Sequence, residues 1–173
     1  MKPTRLVRTG PAALLLILLL PGCALLQGQP EPAPDPTPGE LVVSAGHRLS
    51  YVEKRPFRGH CYGYVDSIFR EAGFPPGERH DVYRAGGNGP YADVELLQPG
   101  DWVMHINYEF RMIGHSSIFV EWIDRNMRIA KTLDHAGMNR YEPGKYRPHN
   151  MSAVFRIIRP GTPEEHASLS AAH

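Results

Sequence analysis

The stretch Arg58–Phe74, RGHCYGYVDSIFREAGF, holds one of the two cysteines in a chain of 173 residues. From Cys61 to Ala72 the apolar residues recur at helical spacing. Val65, Ile68, Phe69 and Ala72 share a face with Cys61, while Asp66, Arg70 and Glu71 point elsewhere. Gly73 suits a left-handed position just past a helix end, with Phe74 as the hydrophobic residue that follows it. Pro75 and Pro76 forbid continuation. A short helix is therefore predicted, with its thiol in the first turn. There the backbone dipole favours the thiolate.

The other cysteine, Cys23, belongs to a different context. Lys2, Arg5 and Arg8 precede an apolar run, Ala12–Leu20, with the length of a secretory core and too short to span a bilayer as a helix. The run ends in LPGC, Leu20–Cys23, which resembles a bacterial lipobox. That resemblance implies cleavage before Cys23 and acylation of its sulfur. Two or three acyl chains would anchor the chain stably, where one gives only marginal binding. Residues 1–22 are read as the lipoprotein signal peptide. Residues 23–40, with Pro30, Pro32, Pro34, Pro36 and Pro38, are read as lipidated cysteine and stiff linker. Residues 41–160 form one domain with one core. Residues 161–173 are read as a disordered tail.

Composition excludes some classes. Without Lys2, Arg5 and Arg8 the formal charge falls from +1 to −2, and no aromatic stripe interleaves with basic residues, so nucleic acid is not an expected partner. If Cys23 is acylated, Cys61 has no intrachain disulfide partner, and an unpaired cysteine in an exported chain is a candidate reactive thiol. No HxxxH or HxH spacing appears in the domain, so no metal and no cofactor are expected.

Downstream, LQPG (Leu97–Gly100) signals a turn, and strands are predicted at Asp101–His105, Gly114–Ile123, Met127–Leu133 and Ser152–Arg159. Pro75–Val94 reads as a long loop. One helix followed by antiparallel strands makes an α+β domain, the cysteine-bearing helix packed on the sheet. His115, at the start of a strand, is the candidate base for Cys61, with His105 as its rival. A three-residue hairpin loop at Asp124–Asn126 would set His115 opposite His135; a two- or four-residue loop would set it opposite Ala136. Asp134, His135 or Ala136 therefore lies beside it, close enough for contact between side chains.

Four blocks in this order resemble the NlpC/P60-type cysteine peptidases, a branch of the papain-like superfamily that cuts peptidoglycan stem peptides. Cys61-Tyr62-Gly63-Tyr64-Val65 resembles the family's helix start. LQPGDWV (Leu97–Val103) resembles its turn and strand, GHSSIFVE (Gly114–Glu121) its histidine strand, and LDHAG (Leu133–Gly137) the strand bringing the third polar residue. The family usually has Asp where this chain has His60, and Ser where it has Tyr62. Its upstream Tyr-x-Trp-Gly-Gly element is missing, with Tyr51 standing ten residues before Cys61. The resemblance implies a papain-like fold and a catalytic set of Cys61, His115 and His135, with Asp134 as the rival third member. It also implies that the Cys61 N–H, with Tyr51, stabilises the oxyanion. The expectation is a monomeric, lipid-anchored hydrolase of the bacterial cell envelope acting on peptidoglycan peptides, on the periplasmic face of the outer membrane in a Gram-negative cell. The bond between D-Glu and the diamino acid is the expected cleavage point. The alternatives are a catalytically silent relative that binds the wall or a partner, a CHAP-like amidase, or acyl transfer by the same Cys–His pair.

Overall fold

The computed structural model describes residues 34–108, 113–162 and 164. The signal, the lipobox with Cys23, most of the linker and nearly all of the tail lie outside the described residues. No helix among the described residues is long and apolar enough to cross a membrane.

Two helices come first. Helix α1 spans Pro38–His47, and its last turn widens into a π-turn at Arg48–Val52. It begins inside the segment read as linker. Thr37 is its N-cap in a capping box with Glu40, and Pro38 occupies the first turn, where a missing N–H costs nothing. Strand β1 (Phe57–Arg58) leads to helix α2 (Cys61–Glu71). Helix α2 ends as its sequence demands. Ala72 is the C-cap, Gly73 is left-handed at φ +95°, and Phe74 N–H donates to Phe69 O at 2.8 Å while Gly73 N–H donates to Arg70 O at 3.1 Å.

The strands that follow are β2 (Arg79–Arg84), β3 (Trp102–Asn107), β4 (Ile113–Asp124), β5 (Ile129–Asp134), β6 (Tyr141–Glu142), β7 (Lys145–Asn150) and β8 (Val154–Pro160). Six of them form one antiparallel sheet in the order β2-β8-β3-β4-β5-β7, and β1 pairs with β6. The domain is α+β. Strands β2 and β7 are absent from the sequence reading. Both are edge strands, where Pro148 in β7 is tolerated because one side of the strand needs no ladder donor. The loop expected over Pro75–Val94 is thus interrupted by β2. Its later part instead covers one face of the sheet through Ala92 and Val94.

The sheet divides the core. Helices α1 and α2 lay Val42, Leu49, Val65, Ile68 and Phe69 on Trp102, Ile118, Leu133 and Ile158. The opposite face carries Val103, Phe119, Ala130, Val154 and Ile157 under Leu97 and Met151. Register shifts in the β4–β5 hairpin, between Phe119 and Glu121 and between Trp122 and Asp124, break simple alternation. They bring Trp122 against Phe119, edge to face at 5.1 Å, although strict alternation would set the two on opposite faces.

Helix α1 meets the Leu97–Gly100 turn backbone to backbone. A Cβ on Gly100 would lie 2.3 Å from the Gly39 Cα, and Gly100 holds φ +89°. Asp101, beside it, is fully buried and takes a two-pronged bond from Arg159 at 2.8 and 2.7 Å. Gly100→Ala is expected to cost about 2–4 kcal/mol by adding left-handed strain to a backbone clash. Gly77→Ala, with nothing within 4 Å of the new Cβ, serves as the near-neutral control. Urea denaturation of the two variants decides; equal midpoints would contradict this account of the contact.

Candidate active site

Cys61 is the first residue of helix α2 and is a half-buried free thiol. His60 before it is extended and offers no side-chain cap, so the first-turn N–H groups stay open to other acceptors. The His115 ring and the backbone N–H groups of Ser116 and Tyr62 face the Cys61 sulfur and favour its thiolate. Burial alone would raise the thiol pKa. Those three donors and the His115 charge outweigh it, and the pKa falls below the ordinary cysteine value.

His115 sits near the start of β4, opposite His105 on β3. Its Nε2 lies 2.7 Å from Asp134 Oδ2, leaving Nδ1 for the thiol. Burial would push the imidazole pKa down. The Asp134 hydrogen bond, the contact with Cys61 and the carboxylate charge reverse this and carry it up to about 9. His115 is thus an imidazolium at neutral pH, facing a sulfur that favours the thiolate. His105, the rival base, is fully buried, and burial first, then the charges of His115 and His149, drive its pKa down to about 3. It is a neutral core histidine.

The third member of the set is Asp134, not His135. The hairpin turns through Arg125–Arg128, and its two register shifts bring Asp134 opposite Ser117. His115, two residues before Ser117 on the same face, reaches Asp134 along the diagonal. Asp134 is 1% exposed, and its Oδ2 also accepts from His149 Nε2 at 2.7 Å while Arg147 holds Oδ1. Burial opposes the carboxylate charge, but these donors keep its pKa well below the usual range. Neither Arg147 nor His149 is a sequence candidate. Both lie on β7, the edge strand hidden by Pro148.

His135 points elsewhere. It is fully buried between Phe57 and Tyr64, at 5.5 Å from each ring, and its Nδ1 accepts from Gly137 N–H at 3.0 Å. It pins the loop after β5 instead of the His115 ring. In that loop Gly137 is left-handed at φ +70°, and a Cβ there would stand 3.3 Å from Cys61 N. The missing side chain keeps space in front of that amide. Tyr51 is also elsewhere. It stacks on Tyr146 at 5.0 Å and its hydroxyl accepts from Tyr146 N–H at 2.8 Å. It does not line the cavity that opens on the thiol. That cavity, of about 330 Å³, is walled by His60, Cys61, Ile113, His115, Met138 and Arg140 among others. Tyr62 faces the other way, its ring 4.5 Å from Trp102.

His115, Asp134 and His149 also bring three potential metal-ligand atoms within 4.8 Å of one another. They sit on three strands, so no HxH spacing reveals them. Two of the separations are 2.7 Å. Ligands on a tetrahedral zinc at its usual bond lengths stand roughly 3.3 Å apart. The observed spacing is that of hydrogen bonds donated to a carboxylate, with Arg147 on its other oxygen. The three groups would have to separate to admit a cation, and as they stand they do not fit one.

The thiol should therefore alkylate with a pH midpoint below the free-cysteine value of about 8.5, followed at the Cys61 peptide by mass spectrometry. His115→Phe should move the midpoint up to or past that value. A wild-type midpoint at the free-thiol value would sink the ion pair. Stability gives a second test. His115 is raised on folding, so its contribution is full below about 6.5 and is lost as pH rises through about 9. Asp134→Asn should cost about 3–5 kcal/mol at pH 6, and clearly less at pH 10. A cost independent of pH would refute the linkage.

Comparison with known proteins adds nothing to this geometry: no protein-family model, no curated protein and no solved structure matches the chain.

Proposed function

We propose that this chain is a thiol hydrolase that cuts amide bonds in peptidoglycan stem peptides, with Cys61 as nucleophile, His115 as base and acid, and Asp134 as the group that orients and charges the ring. The observation that carries this reading is a thiol at a helix N-terminus, lining one cavity with an imidazole that sits 2.7 Å from a buried carboxylate and whose proximity favours the thiolate. This is the nucleophile–base–orienter logic of covalent catalysis.

In the first step the Cys61 thiolate adds to the scissile carbonyl. The oxyanion faces the Cys61 N–H, where Gly137 leaves room; one such donor is typically worth about 10²–10³ in kcat. His115 Nδ1–H then protonates the leaving amine as the C–N bond breaks, leaving a thioester. Water adds to the thioester with His115 taking its proton. The carboxylic product leaves, and the thiolate–imidazolium pair returns. Asp134 holds Nε2–H throughout and stabilises the imidazolium form.

The four sequence blocks support assigning this α+β domain to the NlpC/P60 branch of papain-like folds, with peptidoglycan peptides as substrate. The lipobox-like LPGC and the proline-rich linker support a lipid-anchored envelope protein acylated at Cys23.

Purified wild type should release peptide fragments from muropeptides, and Cys61→Ala should release none. Equal, nil turnover in both would sink the enzyme reading in favour of a silent wall-binding domain. The third-member assignment has its own test. Asp134→Asn should lower kcat/KM by about 10²–10⁴ and shift its pH profile. His135→Gln should leave the profile unmoved even if the variant is less stable. A shifted profile in His135→Gln would return the orienting role to His135.

A further inference from the structure

Two histidines claim one oxygen beside the thiol. His115 Nε2 and His149 Nε2 each lie 2.7 Å from Asp134 Oδ2. An ionised carboxylate only accepts, so both Nε2 atoms carry hydrogen. Arg147 holds the other oxygen, Oδ1. In the steps above His115 and Asp134 act, and His149 takes no part. Yet His149 is built into the site. It is 5% exposed and lines the cavity that opens on Cys61. Its ring packs 5.2 Å from that of His115 and 5.1 Å from that of His105.

Sharing an oxygen has a chemical consequence. A hydrogen bond donated to a carboxylate stabilises its charge, and so weakens the claim of a second donor on the same oxygen. Asp134 is what keeps His115 protonated, but the reaction needs that proton to move. His115 must protonate the departing amine and then take a proton from water. An acid that is held too tightly donates poorly. The charged and titratable groups around the His115 ring come from four elements: Cys61 on α2, His105 on β3 at 5.6 Å, Asp134 on β5, and Arg147 with His149 on β7. Asp134 and Cys61 strengthen the imidazolium. His149 draws on the same oxygen that His115 uses, and so works against that pull.

We propose that His149 is a positioning residue that acts through Asp134: by donating to the oxygen that holds His115, it limits the pull of the carboxylate and keeps the imidazolium able to give up its proton. This role rests on the thiol-hydrolase reading above, but it is read in the resting protein, without turnover.

His149→Phe removes the donor and keeps a buried ring; His149→Gln keeps an N–H at similar reach. The His115 ring nitrogens of the full-length chain are titrated by ¹⁵N NMR in each. His149→Phe should move the His115 midpoint up by roughly half to one pH unit, the effect of losing a competing hydrogen bond to a charged group. His149→Gln should restore the wild-type midpoint. An unmoved midpoint in His149→Phe would overturn the proposal. So would a downward move, which would make His149 a strut for the carboxylate. An upward move that His149→Gln fails to reverse would assign the effect to packing and overturn it too. If His149→Phe does not fold, the reciprocal variant decides, because coupling between two sites runs both ways. His115→Phe should move the His149 Nε2 proton resonance downfield as its bond to Oδ2 tightens, and an unmoved resonance would overturn the proposal.

Kinetics gives a second reading. The thiolate displaces p-nitrophenolate from p-nitrophenyl acetate without an acid, whereas an amine leaves only when protonated. The ratio of acylation rates, muropeptide to p-nitrophenyl acetate, should therefore fall roughly two- to fivefold in His149→Phe. An equal fall in both rates would count against control of the acid. Absence of muropeptide turnover in wild type would count against the hydrolase reading instead, and the His115 titration would still judge His149.

Discussion

A buried carboxylate organises this molecule. Asp134 closes β5 at 1% exposure, where an uncompensated charge would be very costly. It is compensated from three directions, by His115 on β4 and by Arg147 and His149 on β7. One group thus ties together three neighbouring strands at the end of the sheet where helix α2 begins. The same charge that must be neutralised for the fold to form is the charge that keeps His115 protonated. Removing one partner of such a cluster leaves the others buried and unpaired, so stability and chemistry are coupled here by electrostatics.

The site follows from that arrangement. Helix α2 sits on one face of the sheet through Val65, Ile68 and Phe69, which sets the position of its first residue. Cys61 then meets the start of β4, where the Ser116 N–H and the His115 ring converge on its sulfur. The loop after β5 supplies the opposite wall. Its shape depends on buried His135 and on Gly137, which lacks the atom that would crowd the Cys61 amide. His135, the third member expected from the sequence, is thus an element of local architecture, and the aspartate before it meets His115.

Much of this was legible in the residues, and the failures have physical causes. Helix α2 was readable because its apolar spacing, Gly73 and the two prolines all agree. The strands bearing His105 and His115 were readable from their β-branched and aromatic content. Helix α1 was masked by prolines, although the Thr37 and Glu40 pair and Pro38 in the first turn mark a helix start. Strands β2 and β7 are short, polar edges, and Pro148 argues against a strand everywhere except at an edge. The choice between Asp134 and His135 depended on hairpin register. Two bulges in β4–β5 leave no local signature in the sequence, and each shifts the pairing by one residue. With the bulges in place, the diagonal neighbour of His115 is the aspartate.

The central claim is that Asp134 holds His115 as an imidazolium beside a thiolate. The most direct measurement is the titration of the His115 ring nitrogens by ¹⁵N NMR in the resting protein. The expected result is a ring protonated on both nitrogens at neutral pH that loses its proton near pH 9. A His115 ring that titrates near 6.5, like an unperturbed histidine, would contradict the account.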